Sequence, residues 1–334
     1  MAAKKKVSVR FIAEQCNVST ATVSRVLNND DSVTESTRRK VLQVLEQYNY
    51  EAPAAPPSKV SKIGVVIVSS QSDYYHSVLG NIGRWFRDRG ISTIAINTEG
   101  MPGYLPTALD TLYDSGIQGV VLVSCDYLSI REHLHSKIPH VWVDCNDPAE
   151  ETAQICQVQS DHYVSGKLAA QELLSKGCKN PIVLTGVHAT HRSRDRLNGF
   201  RDEYAAGGIE IGAEQVVSLP GIKEHVAESQ EMICYLVTKG FAFDSVFAMS
   251  DGRALGAYMG AVKMGLGIPS DVKIVGFDGI SPACTDVLNI TCVQQNNQLL
   301  TRNACELLMC LITRETIPEK RIIVPTNLLP GQTT

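Results

Sequence analysis

From Lys62 onward, short apolar runs alternate with longer stretches of helical periodicity, and this alternation limits the possible folds more than any other feature. The apolar runs that we interpret as strands are residues 63–68, 92–96, 119–123, 141–144, 182–184, 245–248 and 272–277. The helical stretches are residues 76–89, 164–176, 194–206, 225–238 and 252–264. This alternation predicts parallel, doubly wound α/β sheets. About 270 residues is long for one such sheet, so we expect two lobes with a cleft between them.

Polar side chains follow several of these strands. They are Asp144, Asp161, Ser250 and Asp278, and Arg196 opens a helix after another strand. Ligands of open α/β sheets bind at the carboxyl ends of strands. A carboxylate accepts hydroxyl hydrogen bonds and an arginine donates a fork, so this set suits a sugar-like molecule. A lone aspartate in such a place can instead cap a helix, as we expect for Asp251.

The N-terminal residues form a different pattern. Ser8 can cap a helix over residues 9–15, and Ser19 can cap a second helix after a turn at residues 16–18. Asn17 tolerates the positive φ that such a turn requires. Val23, Val26 and Leu27 point inward at helical spacing. Short polar side chains and one arginine lie on the outer face of the second helix, which is typical of a helix that reads DNA.

A third helix is predicted over residues 35–47, after the candidate cap Thr34. It would bury Val41, Leu42 and Leu45 beneath the other two helices. Phe11 stands where an acid could complete a capping box for the first helix. We expect either some loss of helix stability or a contact of Phe11 that staples the head to something else.

Together these segments resemble the lactose-repressor/galactose-repressor (LacI/GalR) family of bacterial regulators. The head carries Val18-Ser-Thr-Ala-Thr-Val-Ser-Arg-Val-Leu-Asn28, then Val33-Thr34 and Thr37-Arg38. The core carries Arg196-Leu-Asn-Gly-Phe200, Ser250-Asp251-x-x-Ala254-x-Gly256 and a run from Gly267 to Asp278. The resemblance covers both regions, from the head to about Pro325.

The resemblance implies an all-α helix-turn-helix head followed by an α/β core of two lobes, like a periplasmic binding protein. We expect the head at residues 1–50, a Pro/Ala-rich hinge linker at 51–61 and the effector-binding and dimerisation core at 62–334. The N-lobe would comprise residues 62–161 and 293–323, and the C-lobe residues 162–292 and 324–334.

The resemblance also implies which residues contact each ligand. The expected DNA-binding residues are Ser8, Ser19, Thr20, Ala21, Thr22, Ser24, Arg25 and Asn28. Arg25 would read a guanine, and the small Thr20 and Ala21 would contact thymine methyl groups. The expected effector-binding residues are Tyr74, Tyr75, Asp144, Asp161, Arg196, Ser250, Asp278 and Gln294.

Several positions depart from the family pattern, Phe11 among them. Pro56-Pro57 disfavours the family's hinge helix, so we expect an extended tether. Ser250 replaces the usual asparagine, and Gln295 replaces a proline.

Composition excludes other classes. We expect no transmembrane helix, because no run of about 18 apolar residues exists, and no signal peptide. The ten cysteines lack Cys-x-x-Cys spacing, which favours buried thiols in the cytoplasm. Residues 1–60 carry nine Lys/Arg against six Asp/Glu, whereas residues 61–334 carry 22 against 29. Only the head is therefore suited to a polyanion.

We therefore interpret the chain as a transcriptional repressor without cofactor or metal. A homodimer would bind a near-palindromic operator, with residues 252–264 and 283–288 matching the family's dimer contacts. A carbohydrate or sugar phosphate would control operator affinity. The alternatives are a purine or nucleoside effector and a sugar-binding protein without DNA. An enzyme is disfavoured, because no nucleophile, acid–base pair or metal cluster stands at convincing spacing.

Overall fold

The computed structural model describes residues 9–27, 33–48, 60–69, 72–186, 190–220, 225–280, 288–317 and 319–334. The chain forms two compact units, which divide between Lys59 and Val60. The predicted hinge residues 51–59 lie outside the described residues. Among the described helices, none is both long and apolar enough to cross a membrane.

The first unit is a bundle of three helices, α1 (Val9–Cys16), α2 (Thr20–Leu27) and α3 (Glu35–Gln47). All three match the predicted helices to within one residue. Their shared core consists of Ile12, Ala13, Cys16, Val23, Val26, Val41 and Leu45. The predicted burial of Leu42 is wrong, because its side chain is 49% exposed and lies on the outer face of α3.

The second unit alternates strands and helices. Its strands are β1 (Lys62–Ile67), β2 (Ser92–Asn97), β3 (Val120–Val123), β4 (His140–Val143), β5 (Cys156–Ser160), β6 (Pro181–Gly186), β7 (Val216–Leu219), β8 (Ser245–Ala248), β9 (Lys273–Asp278), β10 (Thr291–Gln294), β11 (Arg321–Val324) and β12 (Asn327–Leu329). Its helices are α4 (Asp73–Arg87), α5 (Leu105–Asp114), α6 (His162–Ser175), α7 (His191–Ala206), α8 (His225–Thr238), α9 (Asp251–Lys263) and α10 (Asn297–Thr313).

These strands form two six-stranded sheets, which confirms the predicted two-lobed α/β core. The first sheet has the order β11-β5-β4-β3-β1-β2 and the second has the order β12-β10-β9-β8-β6-β7. All described pairings are parallel except that of β12 with β10. In each sheet the strand order reverses beside its central strands, and this is where open α/β sheets bind ligands.

Helices cover both faces of each sheet. On the first sheet, α4 and α10 enclose one apolar core and α5 encloses the other. On the second sheet, α6 and α7 cover one face, and α8 and α9 cover the opposite face. Because both faces are covered, the central strands are apolar along their whole length, as in the fully buried β3 and β8.

The chain passes between the two lobes at three places. It leaves the first sheet after Ser160, returns after Gln294 and crosses again between Val324 and Asn327. Our boundary before residue 293 differs from this arrangement, because Val293 and Gln294 belong to the second sheet. The predicted elements also omitted helices α5 and α10 and strands β5, β7, β10, β11 and β12.

Helices α6 and α7 approach each other unusually closely. A Cβ atom added at Gly166 would lie 1.9 Å from the carbonyl oxygen of Arg196, and one at Gly199 would lie 2.0 Å from that of Tyr163. Two glycines therefore allow the backbones to pack together and fix the position of α7, which carries the arginines of the core site.

Candidate functional site

The turn and the second helix of the head have the geometry that the sequence predicts. Asn17 has a φ of 51°, in the left-handed region. Ser19 Oγ accepts a hydrogen bond of 3.0 Å from the amide of Thr22 and so caps α2. Ser19 and Thr20 are exposed, whereas Val23 and Val26 are buried. The amino end of α2 therefore presents short polar side chains to solvent.

Other expected DNA contacts cannot be placed in the same detail. Ser8 and Asn28 lie outside the described residues. The backbones of Ala21, Ser24 and Arg25 belong to α2, and their side chains lie outside the described part.

Phe11 packs within the head itself. Its ring meets that of Tyr48 edge to face, with the ring centroids 5.1 Å apart. This contact joins α1 to the end of α3 and replaces the support that a capping acid would give.

In the core, three polar residues at strand ends have left-handed backbones. They are Ser124 after β3, Asp144 after β4 and Asp278 at the end of β9, with φ values of 56°, 50° and 104°. Non-glycine residues adopt this conformation at a cost, and such positions cluster at functional sites. The candidate effector site lies at these carboxyl ends, where the two lobes face each other.

Asp144 is fully buried, and its two oxygens already have protein partners. Oδ1 accepts hydrogen bonds from the Ser160 amide at 3.0 Å and from His162 Nε2 at 3.1 Å. Oδ2 accepts from the Tyr74 hydroxyl, and an Arg192 nitrogen lies 3.8 Å away. Asp144 therefore orients its neighbours instead of offering an open carboxylate, which revises our expectation of direct effector contact.

The charges around Asp144 follow from these contacts. Burial opposes its ionisation, but His162, Arg192 and Tyr74 outweigh that cost and hold the Asp144 pKa well below its usual value. Burial lowers the pKa of His162, although Asp144 acts in the opposite direction. We therefore assign an ionised Asp144 and a neutral His162 that donates from Nε2.

Arg192 links the two lobes, and sequence reasoning missed it. It lies on α7 of the second lobe, and its Nε and Nη2 donate to Asn146 Oδ1 at 3.1 and 2.7 Å. Asn146 follows β4 of the first lobe. Arg192 lies four residues before Arg196, so their shared helix face could have indicated it, but we predicted a helix that began only at residue 194.

The structure brings two of the expected effector residues, Arg196 and Asp278, close together at the end of β9. The Arg196 guanidinium lies 4.0 Å above the Phe277 ring, and the side chain is buried. Asp278 Oδ1 accepts a hydrogen bond of 2.8 Å from Gln295. Burial, together with the charge of Asp251, raises the Asp278 pKa to about 8, although Arg196 and Gln295 oppose the shift.

Ser250 ends the loop after β8, and Asp251 and Arg253 lie in the first turn of α9. Ser250 accepts from the Arg253 amide and is the cap of α9, so our assignment of this role to Asp251 is wrong. Asp251 instead accepts from the amides of Gly279 and Ile280, at 3.1 and 2.8 Å. Arg253, which we did not predict, is buried and donates to Ser250 Oγ at 3.2 Å.

The remaining expected residues lie at the edges of the site. Asp161 caps α6 by accepting from the Val164 amide. Tyr75 is half-buried and packs edge to face against Tyr74. Gln294 donates to the Gly279 carbonyl at 3.1 Å and lines a cavity of about 470 Å³ rich in side-chain amides.

The architecture defines a class of protein, a helix-turn-helix head joined to a two-lobed ligand-binding core. Residues 9–52 match the model of bacterial regulatory proteins of the lacI family. Residues 60–331 match the model of periplasmic binding proteins and the sugar-binding domain of the LacI family. The chain therefore belongs to the LacI family of bacterial regulatory proteins. It is a DNA-binding transcription regulator and not an enzyme.

Individual relatives match over almost the whole length of the chain. The ribose operon repressor of Halalkalibacterium halodurans is 28% identical over 98% of this chain and 97% of its own length. The transcriptional regulator MalR of Clostridium butyricum is 27% identical over 96% and 97%. The Lac repressor dimer bound to operator and the anti-inducer ONPF has a TM-score of 0.73 at 20% identity, covering 98% of this chain and 99% of that chain.

Proposed function

We propose that this protein is a cytoplasmic repressor that binds a near-palindromic operator as a homodimer, with a carbohydrate effector controlling its affinity. The observation that carries the effector part is the buried polar site between the lobes. Arginines and carboxyl groups converge there at the carboxyl ends of β4, β8 and β9. Buried charged groups are costly unless they are paired and hydrogen-bonded, and a few convergent polar groups in a concave site are typical of ligand pockets.

The described contacts support different roles for the expected effector residues. Arg196 and Asp278 are central, and we assign them direct contact with the effector. Tyr75 belongs to the first lobe and lies beside Arg192. It forms the wall of the site opposite Arg196 and Asp278. Asp144 and Tyr74 hold that wall in position, and Asp161, Ser250 and Gln294 support the loops around it.

Control of DNA binding would operate through the lobes. Arg192 of the second lobe contacts Asn146 of the first, so an effector that enters beside them changes the contacts that set the angle between lobes. Coupling of this kind typically has a free energy of about 1–3 kcal/mol.

The DNA-binding part is tested by genomic selection. Purified full-length protein is incubated with fragmented DNA from its source at about physiological salt, because affinity depends steeply on salt. We expect a few enriched near-palindromes. In Arg25→Ala, preference for these sites over random DNA should fall by at least about tenfold, since a good base contact is worth roughly 1–3 kcal/mol.

Lys40→Ala is the matched control, because it removes one positive charge from exposed α3 of the same head. It should weaken binding to all DNA alike and leave the preference intact. Equal preference in Arg25→Ala and the wild-type protein would refute the assignment of α2 as the reading helix. If operators are enriched but no carbohydrate changes operator affinity, the result speaks against the proposal that the core controls DNA binding.

A further inference from the structure

Two arginines of the effector site are buried and form no ion pair with a carboxylate of the described residues. Arg196 and Arg253 are each 8% exposed, and the Nε atom of each lacks a hydrogen-bond partner. The described contacts of Arg196 are with the Phe277 ring, and Arg253 donates to the neutral Ser250 hydroxyl. Neither guanidinium forms an ion pair with any carboxylate in the described part of the chain.

Two nearby carboxylates accept hydrogen bonds from groups other than these arginines. Asp144 accepts from Tyr74, Ser160 and His162, and Asp251 accepts from two backbone amides. Asp278 has a pKa of about 8 and is therefore mostly protonated at neutral pH. Glu228 acts on Arg253 from a distance without forming an ion pair with it. Within the described residues, the two guanidiniums therefore lack a carboxylate in direct contact, and the charges of Asp278 and Glu228 offset theirs only in part.

The pKa values of both guanidiniums lie below the usual value for arginine. Burial, together with the charges of Arg192 and Arg253, lowers the pKa of Arg196 to about 10, although the charges of Asp278 and Asp144 oppose the shift. Burial also lowers the pKa of Arg253. A buried cation without a partner is strongly unfavourable, and a bound anion would relieve this cost.

The local geometry places the Arg253 guanidinium at the carboxyl end of β6. A Cβ atom at Gly186, the last residue of β6, would lie 3.2 Å from a guanidinium nitrogen of Arg253. The lack of a side chain at Gly186 therefore allows this guanidinium to lie against the end of the strand. The amino end of α9 begins at the same place, and its amides also favour an anion.

We propose that the effector is an anionic carbohydrate, whose phosphate or carboxylate binds between Arg196 and Arg253. This inference rests on the proposed function and sharpens its effector class. The anion would lie at the carboxyl ends of β6, β8 and β9, and the hydroxyl groups would face Asp278 and the first lobe. Arg253 thereby becomes the residue that selects charged over neutral sugars.

The experiment compares matched probes on the full-length protein by isothermal titration calorimetry. The probes are inorganic phosphate, D-glucose, D-glucose 6-phosphate, D-gluconate, D-ribose and D-ribose 5-phosphate. We expect saturable phosphate binding and tighter binding of at least one charged sugar than of its neutral parent. A preference for phosphate esters or for gluconate identifies which anion the site takes.

Arg253→Met tests the residue, because it keeps an unbranched side chain and removes the charge. It should weaken phosphate binding at least about tenfold, as expected for a lost charged hydrogen bond. It should also raise the thermal midpoint of the ligand-free protein, since an uncompensated buried charge is gone. Arg302→Met removes an exposed arginine from α10 and should change neither property.

Several results would overturn the inference. These are absent phosphate binding, equal affinity for charged and neutral sugars, or unchanged phosphate affinity in Arg253→Met. If Arg253→Met does not fold, Arg253→Lys replaces it. Arg253→Lys should retain phosphate binding with reduced affinity, and complete loss of phosphate binding in a folded Arg253→Lys would contradict the role assigned to the positive charge.

Operator binding is measured on the same samples. Intact operator binding with no anion effect rejects this inference alone, whereas absent operator binding by the wild-type protein speaks against the proposed function.

Discussion

At the scale of single residues, Asp278 makes the stability of the protein depend on pH. Its pKa is raised to about 8 by burial and by the charge of Asp251. An aspartate in an unfolded chain titrates near about 4. Between these values the folded state keeps a proton that the unfolded state releases, so unfolding becomes easier as pH rises from about 4 to about 8.

Asp278→Asn should remove this contribution while preserving the shape of the side chain. We expect the thermal midpoint of the ligand-free wild-type protein to fall more between pH 5 and pH 8 than that of the variant. Differential scanning calorimetry at several pH values measures both. Asp88→Asn, at an exposed residue beside α4, should behave like the wild-type protein. Parallel pH curves for wild type and Asp278→Asn would contradict the assigned pKa.

Sequence reasoning located the central residues of the site but not their roles. Arg196 and Asp278 stand in recognisable motifs, one in α7 and one at the end of β9, and the structure brings them close together. Arg253 occupies an unspecified position in the Ser250-Asp251-x-x-Ala254 motif, and nothing local indicates that its side chain is buried. Asp144 looked like an open carboxylate, because its partners Tyr74 and Arg192 come from distant parts of the chain.

At the scale of elements, the packing of α6 against α7 depends on Gly166 and Gly199. Gly199→Ala would place a Cβ atom 2.0 Å from the Tyr163 carbonyl oxygen, a backbone atom that cannot move aside cheaply. We expect destabilisation by at least about 1–3 kcal/mol, as for other overpacked cores. Because α7 carries Arg192 and Arg196, effector binding should weaken as well.

Gly80→Ala is the matched control for this prediction. Gly80 lies within α4, and an added Cβ atom would meet nothing within 4 Å. This change should stabilise the protein by roughly 0.5–1 kcal/mol, since alanine favours the helix. Urea unfolding of both variants gives the comparison. An undiminished unfolding free energy in Gly199→Ala would mean that the two helices can separate without cost.

The elements themselves were predictable to different degrees. Short apolar runs identified the central strands, because strands buried on both faces are continuously apolar. Strands β11 and β12 were missed, since each is short, lies at a sheet edge and includes exposed residues such as Ile323. Helix α10 has apolar residues at helical spacing and could have been found from Leu300, Ala304 and Leu308.

At the scale of the whole molecule, the three passages between lobes connect the effector site to the rest of the core. Asp161 donates its amide to the Val324 carbonyl at 2.9 Å, and Ser165 contacts Thr326 at 3.0 Å. Gln295, in a third passage, donates to Asp278 within the site. Sequence patterns could not place these contacts, because they join segments more than 100 residues apart or lie outside regular elements.

Coupling between effector and operator must act equally in both directions, because it is a property of one thermodynamic cycle. Once the selected operator and a binding sugar from the probe set are known, the sugar's affinity is measured with and without saturating operator. We expect a change of about 5–150-fold, matched by the change in operator affinity that the sugar produces. Scrambled DNA of equal length, at the same salt concentration, should leave sugar affinity unchanged. If operator DNA has no effect on the sugar, the head and the core bind their ligands independently, and the cleft does not regulate transcription through this sugar.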